Sequence, residues 1–180
     1  MRTHQVPQPS PDRMVPVPGH PLVVGVSPGQ SELVVLTAAA WAEALGNVPL
    51  VFGFVDEGRV VDVEFPDGSV RHSDLNPDQA DDSWLDRERE MRDWLTRTLT
   101  GHSGPWVFHY LAGRPDRALT HLARAVDASA IVVGARNPSS ADRVREFLAE
   151  PVGLAVSRHQ HRPVIVVPVS VVDWKSTLPW

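Results

Sequence analysis

The stretch from Ile131 to Val169 constrains the fold more than any other part of this chain. It reads as a buried strand (Ile131-Val132-Val133), a loop opened by Gly134, a helix, and a second buried strand, Val164 to Val167, introduced by Pro163. Short apolar runs without polar alternation are strands covered on both faces, and two of them joined through a helix form a parallel βαβ unit. The loop leaving the first strand then lies at the carboxyl edge of the sheet, where α/β folds take their ligands. The segment between Gly134 and Gly153 is therefore the place to look for function.

The same alternation extends upstream. Leu22 to Val26 reads as a first strand, after which Pro28-Gly29 turns the chain into a helix that Ser31 can cap. Leu33, Leu36, Ala40, Trp41, Ala44 and Leu45 are expected to share the face of that helix that covers the sheet, and Gly46-Asn47 to end it. Leu50 to Val55 is a second strand with almost no polar alternation. A long helix from about Asp81 to Leu99 follows, with Trp84, Met91, Trp94, Leu95 and Leu99 at helical spacing. Trp106 to Leu111, a helix over Pro115 to Ala125, and the βαβ unit complete five core strands and four helices. That order predicts an α/β fold, a three-layer doubly wound sandwich around a five-stranded parallel sheet. One interruption stands out. Val60 to Phe65 and Val70 to His72 flank Pro66-Asp67-Gly68-Ser69, so a β-hairpin is inserted at about 59–73, either as surface elaboration or as a lid or dimer contact. Prolines at 7, 9, 11, 16, 18 and 21 make residues 1–21 an arm rather than a helix or a central strand, and the domain runs over 22–169. The tail, 170–180, carries Trp174 and Trp180, aromatic anchors that suggest docking on a surface.

Composition narrows the class. With 180 residues and 42% hydrophobic content, the chain can bury the core of one ordinary domain. A net charge of −5 argues against non-specific attraction to nucleic acid or to an anionic membrane, so no partner of either kind is expected. The absence of Cys excludes disulfides, thiolate metal sites and a cysteine nucleophile, and together with the lack of a long apolar run it suggests a cytoplasmic protein.

Three segments then acquire a collective meaning. Gly113-Arg114-Pro115-Asp116-Arg117-Ala118-Leu119, Ala130-Ile131-Val132-Val133-Gly134-Ala135-Arg136 and Arg162-Pro163-Val164-Ile165-Val166-Val167, with Leu22-Val23-Val24-Gly25-Val26, resemble the third-strand exit, the fourth, fifth and first strands of the universal stress protein family. The resemblance implies strand order 3-2-1-4-5 and a homodimer formed through the fifth strand, Val164, Ile165, Val166 and Val167. It also implies a division between members that bind ATP and members that do not. The ATP-binding kind shows an acidic residue ending strand one, which meets the adenine, and a Gly-x-x-Gly loop after strand four that leads to Gly-Ser or Gly-Thr.

This chain departs from that pattern. Ser27 stands where the acidic residue is expected; Gly134 fits the first glycine, Asn137 replaces the second, and Glu150-Pro151 stands where Gly-Ser or Gly-Thr would be, with Val152 just after. Glutamate repels a phosphate, and proline deletes a backbone N–H that could hold one. Arg136, Arg143 and Arg145 pull the other way, since guanidinium groups grip phosphate, although Asp142, Glu146 and Glu150 offer them ordinary ion pairs. The candidate pocket is thus Ser27, Val55, Gly134, Arg136, Asn137 and Val152, and no cofactor is assigned with certainty; ATP with magnesium is the alternative. His159 and His161 have no partners at metal-ligand spacing, so no metal site is expected. Ser27 and Ser31 lack the Gly-x-Ser-x-Gly elbow, so no enzyme is predicted. The leading reading is a non-enzymatic stress-response module with a degenerate nucleotide site, acting through dimerisation and contacts with protein partners whose identity the residues do not disclose. The second is an adenine-nucleotide-binding protein with a rearranged phosphate loop. An ATP-hydrolysing relative ranks last.

Overall fold

The computed structural model describes residues 10–76, 82–135 and 152–169. Strands β1 (Leu22–Val26), β2 (Leu50–Asp56), β5 (Trp106–Ala112), β6 (Ala130–Gly134) and β7 (Val164–Val167) form one sheet in the order β5-β2-β1-β6-β7. Every pairing in it is parallel, with Leu22 opposite both Leu50 and Ala130, Leu50 opposite Trp106, and Ile131 opposite Val164. Counting the core strands alone, this is the expected order 3-2-1-4-5. The remaining strands, β3 (Arg59–Glu64) and β4 (Val70–Asp74), pair antiparallel as a separate hairpin.

Two apolar layers sandwich the sheet. Helices α1 (Leu33–Ala44) and α2 (Ser83–Thr98) cover one face, where Val34, Val35, Met91 and Leu95 pack with Val24 and Phe52. Helices α3 (Pro115–Ala125) and α4 (Val152–His159) cover the other, where Leu119, Leu122 and Val156 meet Val23, Val51 and Ile131. The chain keeps to one face while it winds outward from β1 to β5 and changes face when it returns to β6, as right-handed crossovers require.

The first helix corrects the sequence reading. Leu33, Leu36 and Trp41 are 49%, 47% and 48% exposed, and Ala40 and Ala44 are exposed with them. The buried face is Val34, Val35, Ala38, Ala39 and Ala42. This helix is apolar on every side, so its spacing offers two candidate faces with little contrast between them. The small residues face the sheet, which lets α1 lie close to β1 and β6. Its start and end match expectation: the Ser31 hydroxyl accepts from the Leu33 N–H at 3.2 Å, and Gly46 and Asn47 both turn left-handed, at φ of 89° and 59°.

The arm is tied down where it meets the domain. Residues 11–13 form a short 3-10 turn, the His20 ring lies 2.9 Å from the Asp127 carbonyl, and the Ser129 N–H donates to the Pro21 carbonyl at 2.9 Å. Below it, the buried Arg162 guanidinium donates to the Ala128 carbonyl at 2.6 Å and pairs with Asp127. Trp84 and Trp94 pack on the core as expected of their spacing. The tail with Trp174 and Trp180 lies outside the described residues.

Candidate functional site

Because β1 sends its helix to one face of the sheet and β6 to the other, the loops at their carboxyl ends diverge and leave a cleft. The cleft has a volume of about 680 Å³, and its floor is the ends of β1, β2 and β6. Four of the expected pocket residues meet there: Ser27 just past β1, Val55 near the end of β2, Gly134 ending β6, and Val152 opening α4. Arg136 and Asn137 lie outside the described residues, as do Arg143, Arg145, Glu150 and Pro151.

Each of the four has a local cause. The Ser27 N–H donates to Gln30 Oε1 at 3.0 Å and the Gln30 N–H returns to the Ser27 carbonyl at 3.2 Å, a turn that leaves the serine exposed at the mouth. Val55 is half-buried and presents its methyl groups to the cleft from between Phe54 and Asp56. At Gly134 the missing side chain makes room for the core: a Cβ there would lie 3.0 Å from Val34 Cγ2 and 3.1 Å from Val169 Cγ1. The next amide, Ala135 N–H, already donates to the Val167 carbonyl at 2.7 Å, so the first donor of the loop serves the sheet.

Several wall residues escaped the sequence reading. Gln30 is one: its Nε2 is enclosed and has no hydrogen-bond acceptor among the described residues. Asp56 is another. Its Oδ2 accepts from the Tyr110 hydroxyl at 2.5 Å and from Arg87 at 2.7 Å, while Oδ1 accepts the Gly58 N–H at 2.9 Å. Burial, reinforced by the bond to Asp56, pushes the Tyr110 hydroxyl far above its ordinary pKa, so it remains a donor at any physiological pH. Arg87 and Tyr110 lie 31 and 54 residues from Asp56 in sequence, and nothing local marks the three as neighbours. Only the apolar strand before Asp56 hints that this carboxylate ends a buried strand.

A second polar group joins this one at the edge of the sheet. Arg59, buried on β3, donates from Nε to His72 Nδ1 at 2.7 Å, pairs with Asp74, and lies 5.2 Å over the Trp84 ring. His72 in turn packs edge-on to Trp84 at 4.7 Å and against Tyr110 at 5.3 Å. The hairpin is thereby fastened to α2 and β5 and covers the β5 edge, which would otherwise present unpaired backbone.

The other histidines form no site among the described residues. Desolvation and then the charges of Arg162, Arg13 and Arg124 hold the His161 pKa below its ordinary value, a cationic setting hostile to a metal ion. His109 is likewise lowered, first by burial. No group of three or more metal-ligating side chains occurs among the described residues, and none of their helices is long and apolar enough to cross a membrane.

Sheet order, cleft position and strand sequences together define a class. The sequence profile of the universal stress protein family matches residues 20–168, and the chain belongs to that family. Among solved structures it resembles a universal stress protein from Archaeoglobus fulgidus, with 22% identity, a TM-score of 0.57, and coverage of 82% of this chain and 93% of that one. UspA from Lactobacillus plantarum is similar in fold at 16% identity and a TM-score of 0.59, covering 83% of this chain and 98% of that one. A structure of a universal stress protein from Archaeoglobus fulgidus in complex with dAMP is similar at 22% identity and a TM-score of 0.55, over 82% of this chain and 97% of that one. No curated protein matches the sequence.

Proposed function

We propose that this chain is a non-catalytic, ligand-binding member of the universal stress protein family whose central cleft takes the nucleoside end of an adenine nucleotide and discriminates against a long phosphate chain. The observation that carries this reading is the cleft itself: about 680 Å³ at the point where strand order reverses, bounded by the apolar Val26, Val55 and Val133. That volume suits a nucleotide-sized ligand. The enclosed Gln30 Nε2 supports it, because an unpaired buried donor costs about 1–3 kcal/mol and an acceptor on a bound base would relieve it. The dAMP complex of a structural relative agrees with a small nucleotide.

The sequence of the phosphate end supplies the discrimination. Asn137, Glu150 and Pro151 replace groups that would hold a triphosphate, and Ala135 N–H is already engaged. Mass spectrometry of the small molecules released on denaturation, followed by calorimetric titration with AMP and with ATP plus magnesium, tests the reading. AMP should bind at least tenfold more tightly than ATP, and Val55→Asp should abolish both. Absence of any adenine compound together with no AMP binding at millimolar concentration would sink it.

A second reading rests on a different observation. β7 is an edge strand, and its Val166 is 51% exposed. Pairing of two copies through Val164, Ile165, Val166 and Val167 would satisfy that edge, and the module would then signal through its dimer and a protein partner rather than through a ligand.

A further inference from the structure

The hairpin builds a second cleft, on the opposite side of β5 from the polar group that fastens it. Its tip reaches α3 so closely that a Cβ on Gly68, which sits at φ 82°, would lie 2.6 Å from Leu122 Cδ1. Between that contact and the exit of β5 at Gly113, the hairpin and α3 flank an open cleft of about 650 Å³. The cleft shares no lining residue with the central one.

Its two walls differ in chemistry. Apart from Glu64, the hairpin wall is apolar, with Val61 and Phe65 exposed at 39% and 44%, and Val70 half-buried behind them. The α3 wall is cationic: Arg114, Arg117, His121 and Arg124 follow one another at intervals of three, four and three residues, the spacing of a single helical face, and extend along it for about 15 Å. Two of these are engaged, Arg114 with Asp116 at 2.9 Å and His121 with Glu64 at 3.3 Å. The guanidinium groups of Arg117 and Arg124 take no ion pair among the described residues. In a chain of net charge −5, a lining with three arginines against a single carboxylate, Glu64, is a local reversal of sign.

We infer that this cleft binds a small amphipathic anion, an apolar body carrying a carboxylate or phosphate head, with the body against Phe65 and Val61 and the head between Arg117 and Arg124. A simple anion would leave the apolar wall wet, and a neutral apolar molecule would leave both arginines unused. The volume lies in the range of sites for small molecules, and a guanidinium without an ion pair among the described residues can grip an oxyanion in a bidentate way.

The experiment is calorimetric titration of the full chain with octyl phosphate, octanoate, 1-octanol and inorganic phosphate. One or both amphiphiles should bind with a stoichiometry of one, at least tenfold more tightly than octanol or inorganic phosphate; the better head identifies the phosphate or the carboxylate as preferred. The double substitution R117A/R124A, at exposed positions, should weaken the amphiphile at least tenfold with an unchanged thermal melt, and Phe65→Ser should do the same through the apolar wall. AMP at saturating concentration should not compete. Equal binding of octanol and octyl phosphate, wild-type affinity in both variants, displacement by AMP, or no binding of either amphiphile would each overturn the inference.

Discussion

His72 shows how much a single side chain can hold in this protein. Its Nδ1 accepts the Arg59 N–H at 2.7 Å, which requires the neutral ring with its proton on Nε2. Burial, and after it the charge of Arg59, lowers its pKa below the ordinary 6.5. The unfolded chain therefore binds the proton more readily than the folded one, and stability rises with pH across this window. The contribution is complete above about pH 6.5 and is lost as pH falls from there toward the lowered folded value. Urea titrations between pH 7.5 and 5 should show falling stability, and His72→Gln should flatten the slope; a slope unchanged in the variant would show that the ring is not the group responsible. None of this was legible in the sequence, where His72 is one of eight histidines at the end of a short strand. Ser27 and Val55, by contrast, lie at strand ends, which are local features of the sequence, and the fold delivers strand ends to a common edge.

Among the elements, α1 carries the clearest lesson. Its turn residues and boundaries follow from local chemistry, but its orientation does not, since Leu33, Leu36 and Trp41 are as apolar as the face that packs. The two faces make opposite predictions. Val35→Ala removes two fully buried methyl groups' worth of contact and should cost about 1–2 kcal/mol, whereas Leu36→Ala on the exposed face should change stability by less than about 0.5 kcal/mol. Chemical denaturation of the two variants measures both, and a larger loss at Leu36 would mean that α1 packs through its other face. The hairpin shows the complementary case. Pro66-Asp67-Gly68-Ser69 marks its turn plainly, and the Asp67 carboxylate accepts the Ser69 N–H at 3.0 Å and its hydroxyl at 2.7 Å as that chemistry predicts. Where the hairpin lies is a different matter. That it covers β5, anchors to α2 through Arg59 and touches α3 at Gly68 depends on contacts with residues that its own sequence does not mention.

For the whole molecule, the two edges of the sheet differ: the hairpin packs along β5, while β7 ends the sheet on the other side with no further strand paired to it among the described residues. A dimer through β7 should give twice the monomer mass by light scattering at tens of micromolar protein, and Val166→Lys should return it to the monomer, because charge on an edge strand opposes pairing. A wild-type monomer at that concentration would count directly against the dimer. The sequence by itself determined the order of strands and helices along the chain and the hairpin turn, because these rest on periodicity and turn chemistry within a few residues, and it showed the family through the likeness of its strand segments over residues 20–168. Only the tertiary structure decided which side of α1 is inside, that Asp56 meets Tyr110 and Arg87, and that the hairpin and α3 flank a second cleft. Those outcomes are settled by which distant surfaces exclude water together, and a helix apolar all round, or a carboxylate at a strand end, carries no local mark of its eventual partner.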